Sequence, residues 1–183
     1  VWADLCLKFN RDVAQFVAND DRIDTVVLSA PWRLWVKPKS TVLSRSGEQG
    51  FVEHDTGVDF AVEAISSTIE PLKRAGKRVV VFGPPPSAGT DTGACLERLA
   101  TNKITFGGDC RIDKAKAMRY DAPVNEFLEK ISLRYQVDIV RVSELLCEGD
   151  YCATQINGVP VYRDPGHLSV DGSRLLLGSG ELF

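Results

Sequence analysis

The sequence predicts an α/β fold, a three-layer α/β/α sandwich around a parallel sheet, on three observations. First, three short runs rich in Val, Ile and Leu have the composition of buried strands: residues 25–30, 77–83 and 137–142. Second, segments with apolar residues at helical spacing separate these runs. Third, such alternation is typical of parallel strands joined by right-handed crossovers. The 183 residues, 44% of them hydrophobic, suffice for one domain over residues 1–183.

The first half of the chain contains two of the three predicted strands. In order, its predicted elements are a helix over residues 4–18, a strand over 25–30, an irregular stretch over 32–57, a helix over 58–76 and a strand over 77–83. The first helix is predicted from an apolar stripe: Leu5, Phe9, Val13, Phe16 and Val17. Pro31 ends the first strand, and Gly76 ends the second helix. A structureless stretch as long as 32–57 is unusual in a compact domain unless it covers a site.

The second half continues the alternation after three consecutive prolines. In order, its predicted elements are a short helix over residues 95–100, a long helical pattern from Ile112 to Ile131, a strand over 137–142, a hairpin over 153–162 and a closing helix after His167. Pro123 is expected to break or bend the long helix. Asn157-Gly158 is a strong hairpin signal. Ser169 is the expected N-cap of the closing helix, with Asp171 in its first turn.

Composition and charge exclude several classes of function. The net charge of -3 gives no basic field for a polyanion, so nucleic acid is not expected as a partner. No apolar run approaches the about 18 residues that a membrane span needs, and no signal peptide is visible. The chain has two histidines and no Cys-x-x-Cys, so neither a metal nor another cofactor is predicted.

Four of the five cysteines are predicted to form two local disulfides. Cys95 and Cys110 bracket a polar stretch with glycine at its end, and Cys147 and Cys152 stand close together in sequence. We therefore predict Cys95–Cys110 and Cys147–Cys152 disulfides, which form in oxidising compartments such as a periplasm. The alternative is that these cysteines are free, buried thiols. Cys6 is left over, either as a buried thiol or with a partner upstream.

The strongest chemical signal lies in residues 162–169, Tyr-Arg-Asp-Pro-Gly-His-Leu-Ser. Asp164 and His167 stand three residues apart on a turn before the closing helix. A neutral imidazole can accept a proton from a hydroxyl nucleophile when a carboxylate holds its tautomer and stabilises the imidazolium. We therefore predict that Asp164 is the orienting acid and His167 the general base of a hydrolytic triad. The alternative is a surface turn in which Asp164 caps the backbone and His167 is merely solvated.

The Asp-x-x-His-Leu-Ser motif resembles the last motif of the SGNH (GDSL-like) hydrolase superfamily. More narrowly, the chain is similar to the SGNH domain fused to acyltransferase-3 membrane proteins that O-acetylate bacterial surface polysaccharides. The other segments that match in order are Cys6–Asn10, Val26–Trp32, Pro84–Pro86 with Cys95–Leu96, and Leu146–Cys147 with Cys152 before Tyr162. The resemblance implies an SGNH-hydrolase, flavodoxin-like sandwich.

One motif of that family is missing from the chain. The family places its nucleophilic Ser in a Gly-Asp-Ser motif at the end of its first strand, and the chain has no Gly-Asp-Ser. We therefore expect the first strand and the nucleophile to lie upstream of Val1, so that the sheet of residues 1–183 has a gap. The alternative is a catalytically inactive relative.

The resemblance also implies an activity. It is transfer of an acyl group, such as acetyl, to lipopolysaccharide O-antigen or another cell-envelope glycan by Ser-His-Asp nucleophilic catalysis. The implied partners are a glycan acceptor, an acyl donor and a membrane acyltransferase-3 domain upstream in the same polypeptide. The domain is expected to be periplasmic, monomeric and free of cofactors. The alternatives are a carbohydrate acetylesterase and a non-catalytic glycan-binding domain that has lost its Ser.

Residues near the end of the first strand are further candidates for substrate or oxyanion contacts. The resemblance places Trp32 where a sugar could stack, and Arg33 beside it could support a developing oxyanion. Alternatively, Trp32 covers the sheet edge and Arg33 is solvated. Ser29 also stands at the strand end but lacks the sequence context of a nucleophile. His54, between two carboxylates, is either solvated or in contact with substrate.

Overall fold

The computed structural model describes residues 2–38, 41–45, 51–103 and 109–178. Their elements, in chain order, are α1 (Trp2–Asn19), β1 (Thr25–Leu28), α2 (Trp32–Trp35), β2 (Thr41–Arg45), β3 (Phe51–Asp55), α3 (Val58–Arg74), β4 (Arg78–Phe82), α4 (Thr92–Ala100), β5 (Ile112–Asp113), α5 (Lys114–Tyr120), α6 (Ala122–Tyr135), β6 (Asp138–Val140), α7 (Val142–Leu146), β7 (Cys147–Glu148), β8 (Tyr151–Cys152), β9 (Gln155–Ile156), β10 (Val159–Pro160) and α8 (Val170–Leu177).

The chain divides into two compact units. The first unit contains Val1–Phe82 and Val124–Ile139, and the second contains Gly83–Pro123 and Val140–Phe183. The first unit therefore holds α1, α3 and nearly all of the main sheet and of α6. The second holds α4, the short strands β5 and β7 to β10, and the closing helix α8.

The main sheet has the strand order β1-β4-β6. Strands β1 and β4 run parallel, in register from Thr25 opposite Arg78 to Leu28 opposite Val81. This confirms the predicted α/β class with a parallel sheet. The expected gap does not lie inside this three-stranded sheet, because neighbouring strands in it are hydrogen-bonded to each other.

The core of the first unit lies on one face of this sheet. Successive strand residues face opposite sides, so Val79 and Val81 of β4 share a face. They pack with apolar residues of α3 and α6, and most of these side chains are almost fully buried: Ala61, Val62, Ile65, Ile69, Leu72, Val124, Phe127, Leu128, Ile131 and Tyr135. Burying each aliphatic side chain contributes about 1.5–3 kcal/mol. The helical spacing of these residues therefore reflects their packing against the sheet.

The apolar stripe that predicts α1 does not face this core. Leu5, Phe9 and Phe16 are 62%, 67% and 62% exposed, whereas Val17 packs against the core cluster. The helix is present as predicted, but most of its apolar stripe is not buried. Helical spacing establishes that residues share a face, and only the neighbouring elements decide whether that face is covered.

Two predictions about the middle of the chain are wrong in detail. Residues 32–57 contain the short helix α2 and an antiparallel pair, β2 and β3, in which Thr41 lies opposite Asp55. They are therefore not structureless throughout. Ile112 belongs to strand β5 and pairs with Cys152, so it does not begin a helix. The partner of β5 is distant in sequence, and residues 32–57 lack the clear periodicity that would reveal the local pairing of β2 with β3.

The predicted break in the long helix is confirmed close to Pro123. Helix α5 ends at Tyr120, and α6 begins at Ala122. Pro123 lies in the first turn of α6, where a missing backbone N–H removes no helical hydrogen bond. Asp113 caps α5 by accepting a hydrogen bond from the Lys116 amide at 2.7 Å.

The second unit is built from short strands, a hairpin and two disulfides. The predicted Cys95–Cys110 and Cys147–Cys152 disulfides are both present. The hairpin of β9 and β10 turns at Asn157 and Gly158, whose φ values of 51° and 78° require residues that tolerate the left-handed region. Cys6, in the first unit, is a free, exposed thiol. Across the part of the chain that the structure describes, no helix is long and apolar enough to cross a membrane.

Candidate active site

The turn of Asp164 and His167 lies between β10 and α8. Its two sides are joined by a bridge between Tyr162 and Leu168 and by a hydrogen bond from the Arg163 amide to the His167 carbonyl at 3.0 Å. Ser169 then caps α8, accepting a hydrogen bond from the Gly172 amide at 2.8 Å, as predicted. The turn therefore leaves a strand and returns directly to a capped helix.

The Asp164 carboxylate closes the turn from inside. Its Oδ1 accepts hydrogen bonds from the amides of Gly166 at 3.0 Å and His167 at 2.9 Å. Aspartate side chains commonly bond backbone two residues ahead in this way, and proline before glycine suits a tight turn. The Asp-Pro-Gly-His sequence thus encodes its own local geometry.

The same Oδ1 orients the imidazole of His167. The distance from His167 Nδ1 to Asp164 Oδ1 is 2.7 Å, which is a short, charge-assisted hydrogen bond. Because an ionised carboxylate can only accept hydrogen bonds, Nδ1 must carry the proton in this contact, and the lone pair of the neutral ring lies on Nε2. The His167 side chain is 70% exposed and that of Asp164 is 32% exposed. The geometry is that of a general base with its orienting acid.

Arg163 contacts the second oxygen of the carboxylate. Its Nε and Nη2 lie 3.1 and 3.0 Å from Asp164 Oδ2. The pKa of Asp164 is held far below its usual value, chiefly by the Gly166 amide, with further contributions from the His167 side chain, Arg163 and the His167 amide. These donors outweigh the opposing effect of partial burial. Asp164 is therefore an anion throughout the neutral pH range.

Three further residues of the second unit lie at the turn or make close contact with it. Tyr162 Oη donates a hydrogen bond to the Pro86 carbonyl at 2.9 Å, and Ser87 Oγ donates one to the Pro165 carbonyl at 3.3 Å. Gly93 of α4 approaches the turn so closely that a Cβ there would stand 2.1 Å from the Arg163 carbonyl oxygen. The short helix predicted over residues 95–100 does not include Gly93, and nothing in the sequence singles out either Gly93 or Ser87.

The other predicted site residues belong to the first unit. Trp32 is 2% exposed, its Nε1 donates to the Phe82 carbonyl at 2.6 Å, and its ring packs against Trp35 and Phe127. This burial argues against stacking of a sugar on Trp32, because neither face of the ring is open. Arg33 is half-buried in α2, and Ser29 is exposed directly after β1.

The backbone of His54 lies in β3, opposite Val42. Within the described residues, no three His, Cys, Asp or Glu side chains converge as ligands for a metal ion.

A known family model covers nearly the whole chain. A family model described as the SGNH domain (fused to AT3 domains) matches residues 2–178. Among solved structures, the periplasmic domain of the Salmonella ser. Paratyphi A lipopolysaccharide acetyltransferase is similar, with a TM-score of 0.49 and 17% sequence identity. That match covers 70% of this chain and 52% of the other chain. A search of curated proteins gives no significant match.

Proposed function

The chain belongs to the SGNH domains that are fused to acyltransferase-3 (AT3) domains, and on this premise we propose that it supplies the acid and base of an O-acyltransferase acting on a cell-envelope glycan. The observation that carries the proposal is the 2.7 Å contact between His167 Nδ1 and Asp164 Oδ1. It leaves Nε2 of an exposed imidazole free to exchange a proton with a hydroxyl group.

The proposed reaction proceeds through an acyl-enzyme. The hydroxyl of a Ser, expected in a Gly-Asp-Ser motif upstream of Val1, attacks the carbonyl carbon of the acyl donor while His167 Nε2 takes its proton. The tetrahedral intermediate collapses, the bond to the leaving group breaks, and the imidazolium returns the proton to that group. A sugar hydroxyl then attacks the acyl-enzyme, His167 takes its proton, and the departing Ser oxygen receives it.

Asp164 has two roles in this cycle. Its hydrogen bond to Nδ1 selects the tautomer in which Nε2 is the base, and its negative charge stabilises the imidazolium that forms at each step. Because Asp164 carries a lowered pKa, it remains an anion while His167 changes charge. No cofactor is needed for this chemistry.

The family and the disulfides support a periplasmic location for this reaction. The matching family consists of domains fused to AT3 domains, so we propose a membrane AT3 domain in the same polypeptide as the source of the acyl group. The two disulfides favour an oxidising compartment. Lipopolysaccharide O-antigen or another surface polysaccharide is the proposed acceptor. Trp32, Arg33 and Ser29 are not needed for this proposal.

The test is to substitute His167 in the full-length polypeptide and measure acetyl release from 4-nitrophenyl acetate. We expect His167→Ala to lower kcat/KM by at least about 10³-fold, because the nucleophile then has no base. His54→Ala, which removes the other histidine of the chain, is expected to retain kcat. Unchanged release by His167→Ala would remove His167 from the mechanism.

Two further observations separate the alternatives. Adding a glycan acceptor distinguishes a transferase, which acetylates the sugar, from a carbohydrate acetylesterase, which releases acetate to water. Sequencing the residues before Val1 tests for the nucleophile. An apolar strand ending in Gly-Asp-Ser is expected, and its absence would favour a non-catalytic glycan-binding domain.

A further inference from the structure

We propose that Ser87 and Tyr162 are positioning residues that hold the Asp164–His167 turn against the Pro86–Gly89 segment in its catalytic geometry. The inference rests on the proposed function, and it adds two residues whose hydroxyl groups donate to backbone carbonyls. Both are buried polar side chains, 4% and 3% exposed, that the mechanism itself does not use.

Tyr162 supports the turn at its base. It stands two residues before Asp164 and pairs with Leu168 across the turn. Its Oη donates to the Pro86 carbonyl at 2.9 Å. A buried hydroxyl without a partner is costly, so this hydrogen bond fixes where the ring can lie. The strand side of the turn is therefore tied to the residues that follow β4.

Ser87 acts on the peptide plane at the centre of the turn. Its Oγ accepts a hydrogen bond from the Gly89 amide at 3.2 Å and donates one to the Pro165 carbonyl at 3.3 Å. The Pro165 carbonyl and the Gly166 N–H belong to the same planar peptide unit. Holding the carbonyl on one side therefore aims the N–H on the other side at Asp164 Oδ1, which it contacts at 3.0 Å.

The two contacts together restrict the orientation of the imidazole. Asp164 Oδ1 joins the Gly166 amide, the His167 amide and His167 Nδ1. If the Pro165–Gly166 peptide rotates, the carboxylate loses the Gly166 amide as a donor and the imidazole loses a fixed acceptor. Errors of about 1 Å in the placement of catalytic groups can lower rates about 100-fold. Loss of either hydroxyl should therefore slow the chemical step and leave substrate binding in place.

The test uses Tyr162→Phe and Ser87→Ala in the full-length polypeptide, with a matched control for each. Tyr135 is also a buried tyrosine whose Oη donates to a backbone carbonyl, that of Val62, at 2.9 Å. Ser132 Oγ likewise donates to the Val137 carbonyl at 3.0 Å. The control variants Tyr135→Phe and Ser132→Ala lose the same type of hydrogen bond in the first unit.

We expect the two test variants to have a lower kcat and a nearly unchanged KM. We expect Tyr162→Phe and Ser87→Ala to lower kcat for 4-nitrophenyl acetate by about 10- to 100-fold with KM changed less than about twofold. Tyr135→Phe and Ser132→Ala should keep kcat within about twofold of the parent. Equal losses in the test and control variants would show a general structural effect and would overturn the proposal.

A second measurement is independent of activity. In ¹H–¹⁵N NMR spectra, the Gly166 and His167 amide resonances report their hydrogen bonds to Asp164, so both should move in the two test variants and stay in place in the two controls. If they stay in place in all four variants, the positioning role is wrong whatever the kinetics show. If they move but His167→Ala remains active, the support of the turn stands and the proposed chemistry fails.

Discussion

A single carboxylate organises the chemistry of this turn at the scale of individual residues. Asp164 Oδ1 accepts from two backbone amides and from His167 Nδ1, while Oδ2 accepts from Arg163. The sequence motif identifies Asp164 and His167, because their spacing on a turn is itself the signal. Arg163 is adjacent to Asp164 in sequence, but only the structure shows that its guanidinium donates hydrogen bonds to the Asp164 carboxylate.

The lowered pKa of Asp164 predicts how this residue contributes to stability as pH changes. Because Asp164 binds a proton less readily in the folded than in the unfolded state, its contribution is complete above the ordinary aspartate pKa of about 3.9. The contribution is lost as the pH falls below that value. Asp164→Asn should therefore be less stable than the parent at pH 7, and the difference should narrow below about pH 4.

Urea denaturation at pH 7 and pH 3 measures this difference. Asp171→Asn is the control, since Asp171 is 70% exposed and pairs with Arg174 at the surface. It should alter the free energy of unfolding by less than about 0.5 kcal/mol at pH 7. A gap between Asp164→Asn and the parent that is as large at pH 3 as at pH 7 would contradict the prediction.

At the scale of elements, helix α4 and the Asp164–His167 turn meet at Gly93. A Cβ on residue 93 would lie 2.1 Å from the Arg163 carbonyl oxygen and 2.7 Å from the Asp164 amide nitrogen. Neither atom belongs to a flexible side chain, so Gly93→Ala must displace the helix or the turn. We expect kcat to fall at least about tenfold and the free energy of unfolding to fall by about 1–3 kcal/mol.

Gly57→Ala is the matched control for this substitution. Gly57 precedes α3, its backbone is extended, and a Cβ there would meet no atom within 4 Å. Acetyl release and thermal melting of both variants measure the effect. A Gly93→Ala variant with the parental kcat would show that α4 does not determine the geometry of the turn.

Element prediction succeeded where local chemistry decides the structure. Residues only a few positions apart in sequence determine three such features: the Ser169 cap, the hairpin at Asn157-Gly158 and the helix break near Pro123. The pairing of Ile112 with Cys152 joins segments far apart in sequence, which a local pattern cannot reveal. Strands β2 and β3 are close in sequence, but residues 32–57 have no clear periodicity that would predict them.

At the scale of the whole molecule, the prediction of one domain over residues 1–183 can be tested by unfolding. All three tryptophans, Trp2, Trp32 and Trp35, fall in the first unit, whereas both disulfides fall in the second. The Cys95–Cys110 disulfide closes a loop with a sequence separation of 15. Its removal is expected to lower the free energy of unfolding by about 3 kcal/mol.

If the chain unfolds as one domain, removing the disulfide from the second unit should also lower the stability of the first unit, which tryptophan fluorescence reports. We therefore expect the double variant Cys95→Ala/Cys110→Ala to shift the fluorescence transition and the far-ultraviolet circular dichroism transition together to lower denaturant. The control is Cys6→Ala, which removes the free thiol and should move neither. A fluorescence transition that stays at the parental midpoint would show that the two units unfold independently.

The sequence by itself predicted the α/β class, the three main strands, the two disulfides and the pairing of Asp164 with His167. Each of these follows from short-range information: hydrophobic periodicity, cysteine spacing or a four-residue turn. Only the tertiary structure decided that Trp32 is buried, that most of the apolar stripe of α1 is exposed, and that Ser87, Tyr162 and Gly93 lie against the Asp164–His167 turn. These properties arise from contacts between segments far apart in sequence, because burial and close approach depend on which elements pack together.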